Sequence, residues 1–331
     1  MSAYVADPDF AHSVLLNPAN LVHAANTYLG ADYEYFQRGV GELFLPDAQP
    51  GSLANGNLTS WNFSLTAPVG AVGVGAAFDG FELGGWRTTV SALGVGVQLP
   101  FGFSGGLTGK YVTASTTHLF PGVGGGTIEF GEYTLSSFTF DLGAMNRVVL
   151  ANNTFFQAIL RSGITLSNVL PSTGWYVQSS RVSSVDLPRV LSLGVAYTFA
   201  SNYRLADFDL FRVTVAADYS NVLGNSSVMD EFIMQNDQYR VGLETVALGV
   251  LAVRIGYTLK TPEYSFYDIA NDLTISRMGS GFSYGFSLRF PAKLVLPDLP
   301  IASLEISYAK NPEWNSGMYH DLFGVVCEMY F

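Results

Sequence analysis

The last ten residues, 322–331, alternate apolar and polar side chains up to a final aromatic. Phe323, Val325, Cys327, Met329 and Phe331 share one face of an extended strand, while Gly324, Val326, Glu328 and Tyr330 share the other. A strand that runs to the last residue needs a neighbour for its backbone donors, because an unpaired donor away from water costs about as much as a lost hydrogen bond. The rest of the chain must supply that neighbour.

The same period of two recurs upstream. Leu191, Leu193, Val195, Tyr197 and Phe199 alternate with small or polar residues, as do Phe211, Val213, Val215, Ala217 and Tyr219. Leu251, Val253, Ile255, Tyr257 and Leu259 repeat the pattern, and so do Phe282, Tyr284, Phe286, Leu288 and Phe290. Each such segment reads as a strand with one greasy face and one polar face. A soluble β-sandwich shares this period, so the character of the polar face has to decide. A sandwich turns a Lys-, Glu- and Thr-rich face to water. Here that face is small and sparsely charged, as in a crowded lumen, and Tyr and Phe gather at strand ends, where an aromatic girdle sits.

Composition agrees. Of 331 residues, 48% are hydrophobic and 13% charged, about half the usual charged share of a soluble protein. No uninterrupted apolar run reaches the roughly 18 to 20 residues of a spanning helix, so the apolar content belongs to strands. The reading is all-β: a transmembrane antiparallel up-and-down β-barrel with strands near 26–38, 58–67, 69–79, 86–99, 102–114, 133–145, 153–167, 188–200, 210–222, 238–248, 250–261, 280–291, 301–310 and 320–331. Fourteen is even, as single-chain bacterial barrels require. Tight turns are expected around Ala67-Pro68, Pro100-Phe101 and Gly249, and long connections at 39–57, 115–132, 168–187, 223–237 and 262–279. Short turns belong to the periplasm and long loops to the outside, which places both termini in the periplasm. The apolar stripe ending on Phe331 resembles the assembly signal that outer-membrane barrels present to the barrel assembly machinery. The start of the chain has no charged n-region followed by an apolar h-region. If the protein is exported, the expectation is that its signal peptide has been removed and that Met1 is an added start.

Ahead of the first strand lies an apolar stretch with Asn17-Pro18-Ala19, and further in come Gly105-Gly106-Leu107-Thr108-Gly109-Lys110-Tyr111, Phe140-Asp141-Leu142-Gly143, Gly163-Ile164-Thr165-Leu166-Ser167-Asn168 and Arg254-Ile255-Gly256-Tyr257. This set resembles the FadL-like outer-membrane barrel superfamily, in its PorV/PorQ and UPF0164 branch. Asn20 stands where that branch usually has Gly, a substitution the turn tolerates because Asn accepts a left-handed conformation. The resemblance implies a short periplasmic hatch, residues 1–25, ahead of a barrel, residues 26–331. From the residues alone, Pro18 fixes its own φ and pushes Asn17 toward extended geometry, and the Asn17 amide could bond backbone where a barrel strand is interrupted. An ordinary loop entering the first strand is the alternative.

Enzyme chemistry finds no support. Gly102-Phe103-Ser104-Gly105-Gly106 matches the G-x-S-x-G pattern, but that motif needs a helix after its turn and here another strand follows. His12, His23, His118 and His320 lack metal-ligand spacing. Gly122-Val123-Gly124-Gly125-Gly126 lacks the Lys-Ser/Thr of a phosphate cradle. No cofactor or metal is expected, and a net charge of −11 argues against nucleic acid. The single Cys327 allows no internal disulfide.

Charged residues on the inward parity are more informative. Asp32, Glu34, Lys110, Asp141, Arg161, Arg212, Asp218, Arg240, Glu244, Arg254, Lys260, Arg289, Glu305 and Glu328 fall there. Both signs occur, so they could pair across the lumen and fill it, or line a path. Arg212, Arg240 and Arg254, on neighbouring strands, could face an anionic head group unless Asp218 and Glu244 neutralise them. The long loops carry Leu43-Phe44-Leu45, Leu119-Phe120, Trp175-Tyr176-Val177 and Phe232-Ile233-Met234. Apolar residues in water-facing loops mark either a binding surface or a lid. Two readings follow for a monomeric barrel surrounded by outer-membrane lipid. It is a conduit for hydrophobic small molecules such as long-chain fatty acids, or a PorV-like accessory barrel that docks onto a secretion translocon or its cargo.

Overall fold

In the computed structural model, fourteen antiparallel strands pair in sequence order into one closed barrel. The structure describes residues 13–36, 58–83, 86–116, 133–170, 173–178, 181–187, 189–205, 208–223, 237–261, 264–268, 273–277, 281–291, 301–312 and 319–329. The first seven barrel strands are β1 (Thr27–Phe36), β2 (Leu58–Val69), β3 (Val72–Leu83), β4 (Trp86–Gln98), β5 (Phe103–Thr116), β6 (Tyr133–Asn152) and β7 (Phe156–Ser167). The second seven are β8 (Arg189–Ser201), β9 (Phe211–Leu223), β10 (Asp237–Ala247), β11 (Leu251–Thr261), β12 (Gly281–Phe290), β13 (Ile301–Pro312) and β14 (Tyr319–Met329). The seam between β14 and β1 closes in register, with Leu29 opposite Cys327 and Tyr33 opposite Phe323, so no backbone edge faces lipid. Phe331 lies outside the described residues.

Alternation sorts the side chains as the period of two requires. Leu193, Val195 and Tyr197 point outward and are exposed, while Ala196, Thr198 and Ala200 between them are buried inside. Leu65, Phe78, Leu93, Phe138, Leu142, Val241, Val253, Ile255, Phe286, Ile306 and Val325 continue this outward band around the wall. No helix among the described residues is long and apolar enough to cross a membrane, and the band is what meets lipid. Val215 is 51% exposed on it, whereas Thr214, one residue away, is 3% exposed and bonds Thr198 at 3.2 Å. Val215→Arg should therefore cost about 2 to 4 kcal/mol in lipid, as for a charge near the bilayer midplane, and Val215→Leu almost nothing. Denaturant unfolding of lipid-refolded barrels measures both, and equal values would mean that Val215 does not face lipid.

Two expected turns move. The β2–β3 turn falls at Gly70-Ala71 rather than Ala67-Pro68, because Pro68 stays in the ladder opposite Gly73. β6 runs on to Asn152 instead of stopping near 145, and a bulge between Val149 and Ala151 absorbs the register change. Its turn closes where Asn153 Oδ1 accepts from the N–H groups of Phe155 and Phe156, at 2.8 and 3.0 Å. The described connections at this end are the short ones, and Thr27 and Met329 pair there. At the opposite end the connections read as loops at 168–187 and 262–279 contain two-stranded ribbons, Thr173–Gln178 with Arg181–Asp186 and Tyr264–Asp268 with Leu273–Arg277.

Candidate functional site

The N-terminal segment lies inside the barrel at the short-turn end. It folds into one helical turn, Ser13–Leu16, and a 3-10 turn, Pro18–His23. Pro18 forces the break between them. Asn17 before it is extended at φ −155°, as a residue preceding proline prefers, and Pro18 then opens the second turn, where its missing N–H costs nothing. Asn17 Oδ1 accepts from Ala19 N–H at 3.1 Å, so the amide caps its own turn. Val14, Asn17, Ala19, Asn20 and Leu21 are fully buried. Val14 and Leu21 pack with Ala77 and Ala92 of the wall.

What seats this segment is missing wall. Gly73, Gly96, Gly106 and Gly143 stand opposite one another on β3, β4, β5 and β6, a row across four strands. Gly75 and Gly94 form a second pair on β3 and β4. A Cβ at Gly106 would lie 2.5 Å from Ala19 N, one at Gly96 2.6 Å from Pro18 O, and one at Gly73 2.5 Å from Val22 N. One at Gly143 would lie 2.9 Å from Pro18 Cδ. Every other residue type carries that Cβ, so the backbone of the segment reaches the wall only because these positions are glycine.

Hydrogen bonds hold the segment down around the row. Thr108 Oγ1 donates to Val14 O at 2.9 Å and Thr165 Oγ1 to Leu16 O at 3.3 Å. Beside them Lys110 pairs with the buried Asp141 at 2.7 Å, and Asp141 also accepts from Asn168 N–H at 2.9 Å. At the far end of the segment Asn26 donates to Glu328 at 2.7 Å, and Tyr28 OH and Ser303 Oγ donate to the same carboxylate. His23 Nε2 meets Ser104 Oγ at 3.2 Å. Burial, followed by the nearby Arg147 and Arg161 guanidinium groups, pushes the His23 pKa down to about 4. A released segment would titrate near the ordinary 6.5. Below that pH the released imidazole takes up a proton that the seated one refuses until about 4, so seating is strongest above 6.5 and is lost progressively between 6.5 and 4. The hydrogen-exchange protection factors of residues 13–26, with the intrinsic pH dependence of exchange divided out, should fall as pH drops through that window and should stay flat in His23→Gln.

The opposite wall at the same end is crossed by charge. Arg212 of β9 pairs with Glu244 of β10 at 2.9 Å, and Glu244 with Arg254 of β11 at 2.7 Å. Arg254 reaches Glu305 of β13 at 3.0 Å, which also holds Arg289 of β12 at 2.6 Å. Ser287 links Arg254 and Glu305. Of the six lumen charges singled out from the sequence, Arg212, Glu244 and Arg254 thus belong to one ion-paired chain, so Arg212 and Arg254 are not presented together to an anionic head group. Arg240 stands opposite Asp218 and donates to Ser220 at 2.7 Å. Arg161 is buried on the other wall and donates to Thr198 at 2.9 Å.

Trp175 and Tyr176 belong to the Thr173–Gln178 ribbon at the long-connection end. Leu43, Phe44, Leu45, Leu119, Phe120, Phe232 and Met234 lie outside the described residues. Reading the sequence missed Gly73, Gly75, Gly94, Gly96, Ser104 and the linking role of Glu305. The available signal was glycine at alternate positions, Gly73 and Gly75 or Gly94 and Gly96, on the inward parity.

No known protein family and no curated protein sequence matches the chain. Solved structures do. The Ralstonia pickettii toluene transporter TbuX matches at 10% identity and TM-score 0.52, covering 100% of this chain and 96% of its own. A Pseudomonas aeruginosa FadL homologue matches at 12% and 0.50, with coverage of 100% and 96%. The monoaromatic hydrocarbon channel CymD matches at 12% and 0.50, with coverage of 100% and 97%. At such identities the likeness establishes a shared fold, the fourteen-strand FadL-like barrel.

Proposed function

We propose that this is an outer-membrane barrel that admits hydrophobic small molecules, with residues 13–26 acting as its hatch and the short-turn end facing the periplasm. One observation carries the reading: a segment of two short turns lies inside the barrel at the short-turn end, and its backbone comes up against a row of glycines in the wall. Such a plug fits the wall closely and is held to it by non-covalent contacts, which can be released. Proteins of the same fold include a named toluene transporter and a named hydrocarbon channel, which supports apolar cargo, and long-chain fatty acids are the finer proposal. The apolar loop residues Leu43, Phe44, Leu45, Trp175, Tyr176, Phe232 and Met234 would then be the first contact for the ligand, and Asn17, Pro18 and Ala19 the moving part.

The ion-paired wall favours a second reading, in which the barrel is an accessory module that docks a secretion-complex protein. With the hatch on one side and Arg212, Glu244, Arg254, Glu305 and Arg289 on the other, much of the short-turn end is filled. The resemblance of the sequence to PorV/PorQ and UPF0164 barrels points the same way. Binding of labelled oleate and of toluene to the purified barrel, with mass spectrometry of lipids retained after mild detergent extraction, separates the two. Saturable binding supports the conduit. No binding of either probe, with a large protein co-purifying in fixed ratio, would replace it with the accessory reading.

A further inference from the structure

The short-turn end carries large apolar side chains where water-facing turns are normally polar. Phe101 is 93% exposed, Leu248 and Phe155 are each 64% exposed, and Tyr203 is 55% exposed. These four tips belong to the β4–β5, β10–β11, β6–β7 and β8–β9 connections. Two of them are held there against backbone preference. The β4–β5 turn closes where Phe103 N–H donates to Pro100 O, and its central residues Phe101 and Gly102 have φ of 61° and 78°. The β10–β11 turn closes where Val250 N–H donates to Ala247 O at 3.1 Å, with Leu248 and Gly249 at 54° and 66°. Both have the two positive φ values of a type I′ turn, whose first central position favours Asn, Asp or Gly. A bulky L-residue is disfavoured at that position, and this chain puts Phe and Leu there with their side chains bare.

The tips continue the lipid-facing band. On β4 the outward residues Arg87, Thr89 and Ser91 are polar, and the apolar stripe begins only at Leu93. Leu93, Val95 and Val97 span five residues, whereas a barrel strand needs about 9 to 11 to cross the hydrocarbon. The stripe reaches that length only by running through Leu99 and Phe101. Leu251 and Val253 extend from Leu248 in the same way on β11, as Phe211 and Val215 extend from Tyr203 and Leu210 around β9.

We infer that the short turns are not in water but sit in the leaflet on their side of the membrane, with Phe101, Phe155, Tyr203 and Leu248 inserted at the boundary of head groups and acyl chains. The occupant of this surface is lipid, because the patch is continuous with the lipid band and lies on every one of these four neighbouring connections. The inference rests on the transmembrane reading of the fold and is independent of what the lumen carries. It gives the periplasmic mouth a fixed depth, flush with the leaflet.

The test uses Phe101→Cys and Leu248→Cys, each in a Cys327→Ser background, nitroxide-labelled and reconstituted in phosphatidylethanolamine and phosphatidylglycerol vesicles. Val215→Cys supplies the lipid-facing reference. Collision with oxygen should exceed collision with a water-soluble nickel chelate at 101 and 248, giving depth parameters of the same sign as at 215. Chelate-dominated relaxation at both turns overturns the inference, and so does protection that appears only when a periplasmic protein fraction is added, which would make the patch a protein surface. A variant that fails to fold is replaced by Phe155→Cys or Tyr203→Cys, positions that do not themselves have a positive φ.

Discussion

Gly106→Val should unseat the N-terminal segment proposed as the hatch and leave the barrel folded. The new Cβ alone would lie 2.5 Å from Ala19 N and from Pro18 O, and both are backbone atoms, so no rotamer change relieves the clash. Either β5 or the hatch must move. β5 is tied on both sides by continuous ladders, from Gln98 opposite Ser104 through to Thr116 opposite Tyr133, whereas the N-terminal segment is two short turns that belong to no ladder. Overpacking of this kind costs about 1 to 3 kcal/mol in a rigid core, enough to shift a marginally held plug by a factor of about 5 to 150 in its equilibrium. Expected results are larger and noisier conductance in planar bilayers, sensitisation of cells to a bulky hydrophilic antibiotic, and an unchanged heat-modifiable band on gels. Gly105→Val is the control, since Gly105 faces outward and the nearest atom to its Cβ is Leu99 Cδ1 at 4.0 Å. If Gly106→Val conducts like the unmodified barrel, the glycine row is not the seat.

The contrast between these adjacent glycines also explains what could be read from the sequence. Strand number and facing were legible because the apolar residues of a strand mark its outward face, as Val213, Val215 and Ala217 do for β9. The Asn17-Pro18-Ala19 segment was legible because proline restricts the backbone on either side of it. Turn positions were less so. Pro68 looks like a turn residue, yet it is tolerated inside the strand two residues before the turn. The continuous apolar run Val148-Val149-Leu150 hid the extension of β6, because a bulge breaks its alternation. The seat was out of reach for a different reason. A glycine has no side chain to give a parity signal, and Gly73, Gly96, Gly106 and Gly143 become one row only when four registers are known. The motifs that carried the resemblance include several of these contacts: Gly106, Thr108 and Lys110, then Asp141 and Gly143, then Thr165 and Asn168. The charges behaved likewise. Parity put Arg254 and Glu305 inside, but only the intervening β12 and the reach of a guanidinium across it make them partners.

Glu305→Ala should strongly destabilise that charged wall. Its carboxylate accepts from Arg254 at 3.0 Å, from Arg289 at 2.6 Å and from Ser287 at 2.6 Å, and its side chain is 12% exposed. Truncation removes the carboxylate that Arg254 and Arg289 share on adjacent strands, with little water to screen the two guanidinium groups, while Arg254 keeps Glu244. Breaking a buried pair by removing one partner costs about 3 to 5 kcal/mol, because the remaining charge keeps its desolvation penalty and loses its compensation. Urea unfolding in lipid nanodiscs reads that loss directly. Asp321→Ala is the comparison: it removes the partner of Lys310 at 3.3 Å, where the side chains are 44% and 34% exposed, and a solvated pair of this kind contributes about 0 to 1 kcal/mol. The double variant Glu305→Gln with Arg254→Met should recover part of the loss, since it removes a cation together with the anion. Equal costs for Glu305→Ala and Asp321→Ala would mean that water reaches the wall freely. The far side of the lumen would then be an open path beside the hatch rather than a filled one.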